Sequence, residues 1–421
     1  MSFYKWISRG GVGARLVAPA LLVVFSGILE AGDWPQILGP NRNGGAVDEP
    51  IVDSFPAQGP PVVWEIKVGE GFSGAAVAEG VAVVFHRQQD SEIAEGLEPT
   101  TGKQLWKREF PATYSGGYSS DHGPRCVPLI HKGVVYLYGA AGDLHALELK
   151  SGKPRWARAV GRDYPAPESF FGVGSTPIVE GDKLLVNAGG RSHAGIVALS
   201  LADGKTVWKA TDEQASYSSP TAATLDGVRH VIFVTRLNAL SIDPDNGKVR
   251  WKFRFGAPGP TVNAATPQVI DGNLFLSASY GVGAVCHKIG RTSTEEIWDN
   301  NETMSSQFST SVPDEGWLYG VDGRQDMGPG RLRCFDPKTG MVQWSQDKFP
   351  IANLIVADGK LVIVTDEGEL MLASAAPQSY RELARFRLSR STTRALPALS
   401  NGLLYVRDAT TVKCVDLRRA R

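Results

Sequence analysis

The sequence predicts an all-β fold: an eight-bladed β-propeller of four-stranded antiparallel blades, its ring closed by an N-terminal strand. Two counts predict it. Eight glycines, Gly80, Gly133, Gly181, Gly227, Gly272, Gly316, Gly359 and Gly402, each stand between short apolar runs such as IVEGDKLLV, VIDGNLFLSA and IVADGKLVIV. That is the pattern of a β-hairpin turn. Successive gaps are 53, 48, 46, 45, 44, 43 and 43 residues, the period of propeller blades. The first seven glycines are followed by an aromatic anchor: Trp106, Trp156, Trp208, Trp251, Trp298, Trp344 and Phe386. Gly402 has none. The missing outer strand reads at the other end, in residues 62–68 (VVWEIKV) around Trp64. A lone blade has bare edges and a poorly buried face; radial stacking covers the faces, and closing the ring removes the frayed end. The N-terminal strand is therefore a clasp.

Inside each blade the best-defined element is the turn before the outer strand. It reads Thr101-Gly-Lys-Gln-Leu-Trp106, Ser151-Gly-Lys-Pro-Arg-Trp156, Asp203-Gly-Lys-Thr-Val-Trp208, Asn246-Gly-Lys-Val-Arg-Trp251 and Thr339-Gly-Met-Val-Gln-Trp344. Glycine supplies the positive φ of a tight turn, and the polar residue before it bonds the local backbone. The tryptophan brings a large flat surface to the neighbouring blade. Trp64, Trp106, Trp156, Trp208, Trp251, Trp298 and Trp344 are the expected docking residues. Glu98, Glu148, Asp243, Asp336 and Asp416 end the preceding strands and are read as turn caps.

Upstream the chain changes character. Lys5, Arg9 and Arg15 precede the run LVAPALLVVFSGIL at 16–29, fourteen mostly apolar residues with Pro19 among them. Such a run is short for a membrane span and suits the core of a secretory signal. Residues 1–31 are read as a signal peptide cleaved after Ala31, with an uncleaved anchor as the alternative. No cysteine precedes Cys126, so export without a lipid anchor is expected. Residues 32–61 carry Pro, Gly and Asn without alternation and read as an irregular segment, pinned to the propeller surface by Trp34 and Ile37. The propeller is placed at 62–421.

Lys plus Arg and Asp plus Glu both number 44, which argues against a nucleic-acid surface. Four cysteines in an exported chain invite disulfides. Blade alignment puts Cys286, Cys334 and Cys414 where Gly96, Ala146, Ala198 and Ser241 fall elsewhere, a position for small residues. Buried free thiols are expected.

The pattern A-L-[DE]-x-x-[TSND]-G-K-x-x-W resembles the tryptophan-docking repeat of the pyrroloquinoline quinone (PQQ) repeat family. That family includes quinoprotein alcohol dehydrogenases, the outer-membrane assembly factor BamB and secreted PQQ-like propellers. DWPQILGPNRNG, FGVGSTPIVEGDKLLVNAGG, SYSSPTAA and VNAATPQVIDG are similar to phrases of the secreted group. In the enzymes the quinone lies between a Trp floor and a disulfide of adjacent cysteines. A calcium or lanthanide ion held by Glu, Asn and Asp activates it, and another Asp is the base. Here no two cysteines are adjacent, and no acidic loop has hard-metal spacing. The resemblance therefore implies the non-enzymatic branch, with no catalytic residue, no metal ligand and no cofactor. PQQ with calcium belongs to the alternative reading, a quinoprotein oxidising a small alcohol or sugar.

What remains is the mouth of the central channel. Several innermost strands are preceded by small hydroxyl residues and proline: Ser175-Thr176-Pro177, Ser218-Ser219-Pro220 and Thr266-Pro267. Proline suits the start of a strand, where no ladder bond is needed. With Asp121, His122, Arg125, Asn263, Gln307 and Arg394 they make a candidate polar ring for a small ligand or an acidic side chain. The loops YSGGYSSDHG, GRDYPAPESF and VDGRQDMGPG are candidate recognition loops. The expected protein is a monomeric, periplasmic or secreted scaffold binding a protein or envelope component, with no transmembrane domain once the signal is removed.

Overall fold

The computed structural model describes residues 1–2 and 32–419, apart from 117, 168 and 169. The signal-peptide reading lies outside the described residues. Eight four-stranded antiparallel sheets follow one another along the chain. Seven are continuous, spanning 76–111, 129–159, 178–210, 221–254, 268–300, 312–349 and 352–387. These are blades 1 to 7. Blade 8 takes three strands from 398–416 and its outer strand from Val62–Lys67, which pairs antiparallel with Thr411–Asp416. The clasp is as the counts require.

All eight hairpin glycines have positive φ and join the first strand of a blade to the second. In seven of them the preceding residue (Glu79, Lys132, Asp226, Asp271, Glu315, Asp358 or Asn401) is also at positive φ. Two consecutive left-handed residues define the two-residue hairpin whose twist matches the strands it joins. Blade 3 differs: Glu180 pairs with Lys183, so Gly181 takes the first central position.

Blades dock through the tryptophans. The indole Nε1 of Trp106 donates to Leu149 O at 2.7 Å, Trp156 to Leu201 O at 2.9 Å and Trp208 to Pro244 O at 3.1 Å. Trp298 and Trp344 donate likewise to Pro337 O and Ala376 O. In each case the acceptor belongs to the next blade. For the first four the turn glycine of that blade lies against the indole: a Cβ on Gly152 would stand 2.6 Å from Trp106, and one on Gly204 2.7 Å from Trp156. Trp251 is the exception, for its buried Nε1 has no partner. Blade 5 lacks the Gly-Lys turn, and Trp251 stacks instead on Phe253, itself stacked on His287 at 3.8 Å.

Directly across the sheet from these tryptophans sit Gly96, Ala146, Ala198, Ser241, Cys286, Cys334 and, opposite Trp64, Cys414. Gly96 shows why the site is small, since a Cβ there would collide with the indole of Trp106. All four cysteines are buried and free.

The irregular N-terminal segment departs from expectation. Trp34 and Ile37 do not pin it to the outer surface; residues 32–46 enter the central channel and touch the inner edge of every blade. Trp34 exchanges backbone bonds with Val77 of blade 1, and Ile130 N of blade 2 donates to Pro35 O. Arg42 donates to the carbonyls of Pro177 and Pro220, leading into blades 3 and 4, and Gln268 of blade 5 donates to Arg42 O. Gly44 lies on Val312 of blade 6 and accepts from Val356 N of blade 7, whose carbonyl accepts from Ala46 N, while Ser400 of blade 8 donates to Gly32 O. Trp34 is 1% exposed and Arg42 2%. A buried guanidinium must spend its donors on protein acceptors, and the inward-facing carbonyls at the channel wall supply them. Sequence composition marked the segment as irregular; its fit to the channel has no periodic signal.

Candidate functional site

With one side of the channel plugged, the other opens as a cup of about 520 Å³ on the axis, its floor including Ile37 of the plug. The face is the one carrying the blade lead-ins and the loops between second and third strands. Aromatic side chains dominate the wall: Phe72, Tyr118, Phe171, Tyr217, Tyr280 and Phe308. Three guanidiniums, of Arg125, Arg324 and Arg394, face a single lining carboxylate, Asp326.

The cations are held by rings and backbone. Phe72 lies between two of them, with Arg394 Cζ 5.1 Å and Arg125 Cζ 5.5 Å from its centroid. Arg324 sits 4.2 Å over Tyr280 and donates through Nε to Asp326 at 3.0 Å, which holds that carboxyl below its usual range. Arg125 donates to Gly123 O and Asp121 O at 2.8 and 2.9 Å; burial lowers its pKa. Neither Arg125 nor Arg394 has a carboxylate within 4 Å among the described residues. Cation–π contact orients a guanidinium without neutralising it, so the cup keeps a positive field over an apolar wall.

Of the eleven channel-mouth candidates, Arg125, Gln307 and Arg394 line the cup. Gln307 donates to Tyr280 Oη at 3.2 Å and accepts from Gln325 N. The hydroxyls lie deeper and join blade to blade. Thr176 Oγ1 accepts from Val127 N, Ser219 Oγ from Thr176 N and Thr310 Oγ1 from Thr266 N, all near 3 Å. Ser175 and Ser218 donate to the carbonyls of Ser218 and Ala265. Asn263 ties blade 4 to blade 5 through Thr235 O and Ser216. Asp121 and His122 fasten their loop to itself and to the lead-in of blade 1, Asp121 accepting from Gly71 N and Gly123 N, His122 Nε2 lying 3.1 Å from Gly116 O. Sequence reasoning missed the aromatic wall. Those rings stand on loops, where no period marks them.

No tryptophan among the described residues lines the cup, and its one lining carboxylate is engaged by Arg324. Among the described residues no group of three His, Cys, Asp or Glu could hold a metal. No helix there is long and apolar enough to cross a membrane.

The closed ring, its tryptophan docking and its axial cup define a PQQ-like propeller. A family model described as outer membrane protein assembly factor BamB matches residues 57–163 and 89–346, and the chain belongs to that family. BamB of Burkholderia pseudomallei (strain K96243) is 22% identical over 251 residues, 57% of this chain. The chain spans only 59% of that relative's length. BamB of Yersinia pestis is 21% identical over 80% of this chain and 85% of its own. Among solved structures, BamB from Moraxella catarrhalis superimposes with a TM-score of 0.61 at 17% identity, covering 84% of this chain and 99% of its own. A europium-containing methanol dehydrogenase gives 0.66 at 13% identity, covering 90% of each chain. At these identities the structural likenesses carry the fold alone.

Proposed function

We propose that the protein is an exported, non-catalytic propeller scaffold that docks a protein partner of the cell envelope in its axial cup. The single observation that carries this is the cup's chemistry: an aromatic wall with three guanidiniums against one carboxylate. Such a surface suits a segment bearing apolar and acidic side chains, because desolvated aromatic and arginine contacts dominate protein recognition. Relatives named as outer membrane assembly factors support a partner in that compartment. The basic lead and apolar run at residues 5–29 support export.

The test places a photo-crosslinking residue at Tyr118, 70% exposed on the rim of the cup, and at Leu105, 45% exposed on an outer strand. One envelope protein should crosslink from Tyr118 and not from Leu105, and Arg394→Glu should abolish it. Equal capture from both positions, or none, would defeat the reading. So would a stoichiometric quinone band with dye-linked alcohol oxidation after refolding with PQQ and calcium.

A further inference from the structure

A second cavity, of about 600 Å³, lies off the axis where blades 2, 3 and 4 meet, sharing Gly174, Tyr217 and Val262 with the cup as a common wall. Asn187, on the second strand of blade 3, lines it and is 2% exposed. Neither its amide nitrogen nor its amide oxygen has a hydrogen-bond partner, and no other described residue leaves both ends of a buried amide unmet. A buried amide without partners gives up its hydration for nothing in return, so the unmet groups ask for an explanation.

The repeat supplies a comparison. Two residues before the small position opposite each docking tryptophan, the third strand pairs with the second: Ile196 with Asn187 in blade 3, Val412 with Arg407 in blade 8. Arg407 reaches into blade 1 and donates to the carbonyls of Ser73, Phe85, Gly69 and Glu70. The matching interblade space beyond Asn187 is left open, because its side chain is shorter and small residues such as Gly174, Gly189 and Ala215 line the cavity. The corresponding lead-in of blade 4, Gln214 to Tyr217, forms part of the wall.

We infer that this cavity is a binding site for a compact polyhydroxyl compound, such as a single sugar residue. Its volume is within the range of small-ligand pockets. Among the described residues no carboxylate lines it, and the lining cation Arg236 donates to Ala257 O, Gly259 O and Thr261 Oγ1. Hydroxyls both donate and accept, matching the two ends of the Asn187 amide, and the rings of Tyr114, Phe170 and Tyr217 offer faces for the C–H side of a sugar. The site is independent of the cup and does not rest on the protein-partner reading.

The test is saturation-transfer NMR and calorimetry with glucose, N-acetylglucosamine and glycerol on the mature protein. At least one should bind, and Asn187→Leu should weaken it by about tenfold or more, the scale of losing a buried hydrogen-bonded pair. The variant should melt no lower than the wild type, since an apolar side chain removes the unmet amide. Should N187L misfold, Ala215→Leu fills the cavity from blade 4 and should abolish binding. Failure of all three probes to bind, or unchanged binding in the folded variant, would leave a water-filled void and overturn the inference.

Discussion

The indole Nε1 of Trp64 donates to Pro99 O at 2.8 Å, so the last blade docks on the first through the same bond that five other tryptophans make. Gly102 of blade 1 lies against the Trp64 ring, as Gly152 lies against Trp106. Closure is thus one more copy of the repeat contact, supplied by a strand from the far end of the chain. Trp64→Ala should cost about 3–5 kcal/mol, as expected for a large buried aromatic. Deletion through Val68, which removes plug and clasp together, should abolish cooperative unfolding of the whole ring. Urea unfolding of both variants checks this, and a truncated protein with unchanged melting would sink the clasp model.

Trp251 offers an internal control on what the docking bond contributes. Its N–H is buried and unpartnered, whereas that of Trp106 reaches Leu149 O. Trp106→Phe removes one partner of a buried pair and should cost about 1–2 kcal/mol beyond the change in ring size. Trp251→Phe removes an orphan donor and should be cheaper by that margin. Equal costs measured by denaturant unfolding would mean the indole bonds add nothing to blade docking.

The plug predicts a different kind of loss. Arg42 is buried with its guanidinium on the carbonyls of Pro177 and Pro220, and burial pushes its pKa down to about 9. Arg42→Met keeps much of the volume but strands those acceptors and the Gln36 amide oxygen. A destabilisation of about 1–3 kcal/mol is expected, the scale for leaving buried acceptors unpaired. A melting temperature within a degree or so of wild type would show that the plug rests on the channel without holding it.

These contacts mark what was legible in the sequence. Blade number, clasp and docking tryptophans were readable because each recurs: Gly227 and Gly272 say the same thing, and Cys334 falls where Ala146 falls. The site was readable only in part. Ser175, Thr176 and Ser219 are polar and sit at the channel, but backbone groups of neighbouring blades take up their hydroxyls. Phe72, Tyr280 and Phe308 build the cup from three separate loops, and only the ring geometry brings them together. Asn187 occupies a strand position indistinguishable in sequence from a satisfied core polar residue.

Glu92 should impose a pH dependence. It is 4% exposed, accepts from Ala140 N at 2.8 Å, and burial pushes its pKa up to about 7 from an ordinary 4.5. Between those values the folded chain holds a proton that the unfolded chain has released. Stability attributable to this group therefore falls as pH rises from about 4.5 to about 7 and is level on either side. Glu92→Gln keeps the acceptor and removes the titration. The stability difference between variant and wild type should grow in the variant's favour across that window, by up to roughly 3 kcal/mol. A difference constant from pH 4 to pH 8 would show that the carboxyl titrates normally.

The thiols give the last prediction. Cys126 stands at the lead-in to blade 2, while Cys286, Cys334 and Cys414 oppose Trp298, Trp344 and Trp64 on three different blades. None is bonded to another, and all four are buried. Burial pushes the Cys286 thiol up to about 11 and those of Cys334 and Cys414 up to about 12, so almost no thiolate exists at neutral pH. Only the thiolate attacks an alkylating reagent or a disulfide. The folded protein should therefore react slowly, and four thiols should appear once it is unfolded without reductant, even after passage through an oxidising compartment. Mass spectrometry after alkylation under both conditions reads the number directly. A mass two units lower per pair would place a disulfide between blades, and the register that sets small residues against the docking tryptophans would have to be redrawn.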